Sequence, residues 1–293
     1  MRGLLFLLAL LFWTPAEGLE PLSSEEQAAF LLSVHEFLEC SDCHSPDQPD
    51  RIPKIQVPIL CGDCHPDPYS DYIRSVHWKK GNPQAICIDC HGTHNITPVQ
   101  NPNSKAYRSL VCGTCHMGPK ENFDAGPHKA GMEKIGALAC SSCHSNHNVQ
   151  PPTIALMEDQ CAACHATNTP AFAMGQRVKS RFTALRDTLF LAEAEIAHAT
   201  TLGLNTRRAE SSLQNAHAGL AQTRLIWHIL NEDAVHTTAK QAAQSANSAR
   251  ALVAELLNDQ RLRRIGLTIA WAVILINVVL LYLKHRRLES EED

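Results

Sequence analysis

Aromatic residues are scarce in this chain, at 5% of its 293 residues, and no cysteine lies outside the stretch Cys40–Cys164. A conventional apolar core of packed rings is therefore excluded for the cysteine-bearing part, which has little else to bury. Proline is absent after Pro170, so no proline ring interrupts helices there. No basic stripe or run occurs, and the formal charge is only -4. Nucleic acid is thus not an expected partner. Nor is any cysteine left over, because all twelve fall into C-x-x-C pairs.

Each pair is followed at once by histidine. The six motifs are Cys40-Ser-Asp-Cys43-His44, Cys61-Gly-Asp-Cys64-His65, Cys87-Ile-Asp-Cys90-His91, Cys112-Gly-Thr-Cys115-His116, Cys140-Ser-Ser-Cys143-His144 and Cys161-Ala-Ala-Cys164-His165. C-x-x-C-H is the attachment signature of c-type haem. The two thiols form thioethers with the haem vinyls, and the adjoining histidine brings its ring under the iron. A single motif would also suit a zinc half-site or a redox dithiol. Six with no spare cysteine point to six covalently bound haem c groups, with His44, His65, His91, His116, His144 and His165 as proximal ligands. Roughly 25 residues per haem are too few for separate apolar cores, so the macrocycles themselves are expected to be the core.

In chain order, Met1–Gly18 reads as a secretory signal peptide. Arg2 precedes the apolar run Leu4–Trp13, and Ala16-Glu-Gly18 supplies a small-x-small cleavage site. Residues 19–169 are the expected hexahaem domain, broken into short pieces by prolines. Within it, Cys61 through His77 to Cys90-His91-Gly-Thr-His94 is repeated as Cys112 through His128 to Cys143-His144-Ser-Asn-His147. The distance from first cysteine to free histidine is 16 residues in both copies. This reads as a duplicated two-haem unit flanked by one single-haem motif at each end.

From Pro170 to Arg264 alanine and leucine take over at helical spacing. Val178, Phe182, Leu185, Leu189, Ala192, Ile196 and Ala199 form a first seam. Leu213, Ala216, Leu220, Thr223, Trp227 and Leu230 form a second, and Val235, Ala239, Ala242, Ala246, Ala249, Val253 and Leu256 a third. Gly203 is an expected helix stop, Asn205 or Thr206 an expected cap, and Asn231 a cap with an acidic first turn. Three helices running up, down and up are the economical reading; a hairpin pairing with a second chain is the alternative. Ile265–Leu283 then holds 19 residues without a charge, about 28 Å as a helix and enough to cross a bilayer. Residues 284–293 would be a cytoplasmic tail. Basic residues flank the span on both sides, so orientation comes from the signal peptide, which puts the haems in the periplasm. Asn277 within the span hints at a membrane partner. The fold class is therefore mainly α: a haem-packed domain with little regular structure, a coiled-coil or three-helix segment, and a C-terminal transmembrane helix.

The second axial ligand decides between electron wire and enzyme. Five free histidines lie at motif-related positions: His35, His77, His94, His128 and His147. His94 follows His91 by three residues, on the same side of a turn, so it should serve a different iron, and likewise His147. The sixth distal ligand is expected to be His228, in the apolar stretch Leu225–Leu230. His217 lies 11 residues earlier, about three turns along the same helix face, and competes with it.

The arrangement Ser75-Val-His77 before Cys90-His91-Gly-Thr-His94 resembles the multihaem cytochromes of respiratory chains, among them tetrahaem cytochromes of nitrogen metabolism, pentahaem nitrite reductases and octahaem oxidoreductases. The similarity covers roughly Val34–Asn148. It implies closely stacked haem pairs, electron transfer and bis-histidine ligation at most irons, and a late helical histidine ligand favours His228. Two departures stand out. The lysine-ligated CxxCK motif of the nitrite reductases is absent, and the anchor is C-terminal where similar quinol dehydrogenases carry it at the N-terminus.

Two functions follow. One is a relay in the inner membrane, carrying electrons between a quinone-linked membrane partner and a periplasmic acceptor or donor. The other is an oxidoreductase acting on a small nitrogen or sulfur compound at one incompletely ligated iron. A scaffold that oligomerises through the helical segment is compatible with the first.

Overall fold

A computed structural model describes residues 23–45, 52–79, 82–96, 104–135 and 139–292. The expected signal peptide lies outside them. The chain forms two compact units, one running to Lys120 and resuming over His128–Pro152, the other made of Glu121–Pro127 and Thr153 onward.

The first unit is a series of short helices, as its prolines dictate. Helix α1 (Ser24–Leu31) opens with a reciprocal cap: the Glu26 amide donates to Ser23 Oγ at 3.2 Å, and the Ser23 amide to Glu26 Oε2 at 3.0 Å. Next come α2 (Val57–Cys64) and α3 (Pro66–Tyr72), each with proline in its first turn, where no amide hydrogen is needed. A two-residue hairpin, β1 (Trp78–Lys79) with β2 (Asn82–Pro83), leads to α4 (Cys87–His91). Then follow α5 (Ser104–Cys115), α6 (Met117–Asp124), α7 (Pro127–Ile135) and α8 (Cys140–His144). The apolar core here is small: Val57, Tyr72 and Ile86, with Ile52, Cys61, Trp78 and Ile88 packed around them. Tyr72 donates to the Ala85 carbonyl at 2.7 Å, and burial pushes its hydroxyl up to about 12.

The second unit has the short helix α9 (Leu156–Ala162) and three long ones, α10 (Pro170–Thr201), α11 (Arg207–Ile226) and α12 (Glu232–Glu292). Three of them pack against one another within one chain, α11 and α10 on α12 and α10 on α11. All seven residues of the first seam are buried, and so are Val235, Ala239, Ala242, Ala246, Ala249 and Val253 of the third. Small side chains let α11 and α12 come close: a Cβ on Gly219 would lie 2.6 Å from that of Ala242. Thr169 accepts from the Phe172 amide to start α10, and Asn231 Oδ1 accepts from the Ala234 amide at 3.0 Å to start α12. Gly203, with φ 74°, ends α10 as expected. Thr206 precedes α11, but its hydroxyl donates to Glu210 Oε1 at 2.6 Å instead of capping the helix.

Two features depart from the periodicity. The second helix stops at Ile226, not Leu230, because Trp227–Ile229 tighten into a 3-10 turn and Leu230 turns left-handed (φ 56°). The third seam and the apolar span are one uninterrupted helix of 61 residues. No proline or helix-stopping residue separates them, so the change from bundle to apolar surface is compositional only. From Arg261 to Arg287 every side chain is exposed, and the helix is long and apolar enough to cross a membrane.

Ion pairs tie α10 to α12. Arg177 grips Glu232 through both carboxylate oxygens at 2.8–3.0 Å, Arg181 adds a contact at 3.1 Å, and Arg250 holds Glu195 at 2.9 Å. The hydrogen bonds from Arg177 draw the Glu232 carboxyl from 4.5 down to about 2. A depressed folded-state pKa gives stability that is whole above pH 4.5 and lost as pH falls toward 2. The thermal midpoint of the helical unit should drop across that interval, and Glu232→Gln should flatten this part of the profile. An unchanged profile in the glutamine variant would assign the acid sensitivity to other carboxylates.

Candidate haem-binding sites

Each C-x-x-C-H motif is one helical turn, which places the first cysteine and the histidine next to each other. The amides of His44, His65, His116 and His165 donate to the carbonyls of Cys40, Cys61, Cys112 and Cys161 at 2.8–2.9 Å. The other two motifs are the whole of α4 and α8. None of the twelve cysteines is in a disulfide, and a thiol is the form that adds to a vinyl group.

The motifs alternate in kind. In the first, third and fifth, the residue before the second cysteine bonds back to the amide preceding the first. Asp42 accepts from Glu39 at 2.8 Å, Asp89 from Ile86 at 2.8 Å, and Ser142 from Ala139 at 3.0 Å. The second, fourth and sixth instead close longer helices, α2, α5 and α9. This is a threefold repeat rather than a duplication with single motifs at the ends. The sequence signal for it is Ser33-Val34-His35, identical to Ser75-Val76-His77, and reading the repeat from Cys61 conceals it.

Four pairs of imidazoles face each other in the first unit. Ring centroids are 5.9 Å apart for His35 and His65, 6.2 Å for His44 and His94, 6.3 Å for His77 and His116, and 6.0 Å for His91 and His147. Ligating nitrogens about 2 Å either side of a metal set two ring centroids about 6 Å apart. The donor set therefore fits an iron between each pair. In every pair one ring comes from a C-x-x-C-H motif and the other from the free set. His94 and His147 face the rings of other motifs, not those three residues before them.

The surroundings suit ligation. Burial, and then the neighbouring His116, lowers the pKa of His77, and burial lowers that of His147. Both shifts favour the neutral ring, the form that binds metal. Neighbouring motifs also meet through sulfur. Cys61 and Cys87 are hydrogen-bonded, which draws Cys61 down to about 7 and pushes Cys87 up. A bond from Cys140 and burial likewise raise Cys112. The helices follow suit, α2 packing on α4, α4 on α5, and α5 on α8.

Of the remaining predicted ligands, His128 opens α7, His144 ends α8, and His165 follows α9. His228 lies in the 3-10 turn, half-buried, with Nδ1 3.2 Å from the Leu225 carbonyl. A bond from Nδ1–H leaves Nε2 as the lone-pair nitrogen. His217 does not share a helix with it, contrary to the spacing argument, because α11 ends between them. Instead His217 Nε2 lies 3.0 Å from Glu193 Oε1.

Comparison with known proteins agrees with this chemistry. Residues 13–116 match the class III cytochrome c family, and residues 111–187 match the cytochrome c554 and c-prime family. The cytochrome c-type protein NrfB of Escherichia coli O6:H1 is 24% identical over 143 residues, covering 41% of this chain and 74% of that protein. No solved structure matches. Cytochrome c families of this kind carry covalently bound haem c.

Proposed function

We propose that this chain, a multihaem c-type cytochrome of respiratory chains, holds six haem c groups and relays electrons without acting on a substrate. In this reading it is tethered in the inner membrane by the apolar part of α12, with the haem sites in the periplasm. It connects a quinone-linked membrane partner with a periplasmic acceptor or donor. The four imidazole pairs carry the reading, since two histidines at an iron would leave it no open position. Haem c supplies reversible one-electron chemistry at its iron.

The chain's own contribution is attachment, ligation and spacing. The twelve cysteines anchor the groups by thioethers. His44, His65, His91 and His116 would hold four irons, together with His94, His35, His147 and His77 respectively. His144 and His165 serve the last two, with His128 and His228 as distal ligands. The Cys61–Cys87 and Cys112–Cys140 contacts bring the attachment edges of the second and third sites, and of the fourth and fifth, together, which supports electron passage between those neighbours. The 24% likeness to a cytochrome c-type protein supports a redox-partner role in a respiratory chain.

Electron paramagnetic resonance of the oxidised full-length protein should show low-spin ferric haem alone. Replacing His77 by alanine should convert one haem of the six to high spin and leave five as they were. A high-spin signal in the unaltered protein would reverse the conclusion. It would mark an open iron at which a small nitrogen or sulfur compound is turned over.

A further inference from the structure

The distal histidines of the first two repeats are held by the same backbone device. In the first, the His35 amide donates to Ser33 Oγ at 3.0 Å and the Val34 amide to the Ile96 carbonyl at 2.9 Å. In the second, the His77 amide donates to Ser75 Oγ at 3.0 Å and the Val76 amide to the Val149 carbonyl at 2.9 Å. Ser33 and Ser75 are both buried. Ile96 and Val149 each stand two residues after a distal histidine, His94 and His147. Every clasp therefore ties the histidine of one repeat to that of the next.

The third repeat cannot make this clasp. Gly126-Pro127-His128 stands where the others have Ser-Val-His. Glycine brings no hydroxyl and proline no amide hydrogen, and no fourth repeat follows to supply a carbonyl. Gly126 packs against the Trp227–Ile229 turn instead. A Cβ there would lie 2.8 Å from the Ile229 carbonyl oxygen and 3.0 Å from that of His228. Both atoms are backbone, so a side chain could be admitted only by moving the turn. The turn is otherwise firmly defined. Leu230 donates to the Trp227 carbonyl at 2.9 Å and accepts a left-handed conformation at φ 56°, an arrangement that non-glycine residues keep only when the surroundings enforce it. Ile226 and Trp227 pack on the Val178, Phe182 and Val235 cluster.

We infer that Gly126 is a positioning residue for His228: its bare Cα seats the 227–230 turn as the stand-in for the missing fourth repeat. The carbonyls of His228 and Ile229 lie against Gly126, the position that Ser33 and Ser75 hold in the first two repeats. This rests on the reading of His228 as an axial ligand, and the test separates the two.

The test is electron paramagnetic resonance and a redox titration on haem-loaded, full-length protein. Variants would be His228→Ala, Gly126→Val, Gly126→Ala and Gly219→Ala. His228→Ala should turn one haem high-spin. Gly126→Val should reproduce that single change and shift the same potential, and Gly126→Ala should do so in a fraction of molecules. Gly219→Ala, which crowds Ala242 without touching the turn, should lower the thermal midpoint and leave the spectrum alone. A high-spin haem in His228→Ala with all haems low-spin in both Gly126 variants would overturn the positioning role and leave the ligand in place. All haems low-spin in His228→Ala would overturn both. Should Gly126→Val fail to take up haem, Gly126→Ala decides by the same criteria.

Discussion

Made without haem, the chain should lose the order of its first unit and keep its long helices. Hydrogen exchange should find no protected amides over Val57–His91 or Ser104–Cys115, while α10, α11 and the bundled part of α12 exchange slowly. The contrast comes from what each unit buries. In the first, the apolar cluster among the described residues is Val57, Tyr72 and Ile86, and burial of such side chains contributes about 2 kcal/mol each. Ordering the backbone costs about 1–2 kcal/mol per residue, and helices of five to twelve residues are not stable alone. Haem, gripped by thioethers and imidazoles, has to supply the missing buried surface, as metals do in small metal-dependent domains. The second unit has buried seams along three helices and does not need it. Slow exchange across α2 to α4 in haem-free protein would mean that the polypeptide alone specifies the imidazole pairs.

How much of this was legible in the sequence varies with the physics involved. The seams were read almost residue by residue, since burial of Val178, Phe182 and Leu185 on one helix face is a periodic property. Motif chemistry was legible for the same local reason: C-x-x-C-H must close one turn. The approach of His44 and His94 was not, because it brings together residues fifty apart in the chain. Only its negative half, that the His94 ring meets a motif other than that of His91, followed from the three-residue spacing. The end of α11 was missed because Leu225–Leu230 continues the apolar pattern. Asn231 starts the next helix, and the chain must turn before it, which periodicity does not register. The third copy of the repeat was hidden by unequal loops, although Ser33-Val34-His35 spelled it out.

Two arginines in the apolar part of α12 should release the protein from the membrane, whereas one should only weaken its hold. Ile265–Leu283 contains twelve leucine, isoleucine and valine residues. At about -0.3 to -0.6 kcal/mol each near a bilayer centre, they favour insertion by roughly 5 kcal/mol in total. A central arginine costs about 3 kcal/mol, so Ile274→Arg alone leaves the balance favourable. Ile274→Arg with Val278→Arg reverses it. Asn277 does not alter this sum much, since its amide donates to the Val273 carbonyl one turn back at 2.8 Å. That bond satisfies one of its two N–H donors and leaves the second and the carboxamide oxygen to a neighbouring helix. From Arg261 to Arg287 the side chains are all exposed, and the haem spectrum and the melting of the bundle should therefore be the same in all three proteins. Fractionation after alkaline washing would read the outcome: membrane-bound for the unaltered chain, divided for the single variant, soluble for the double. A double variant that stayed with the membrane would place the anchor elsewhere, in the N-terminal apolar run Leu4–Trp13 or in a bound partner.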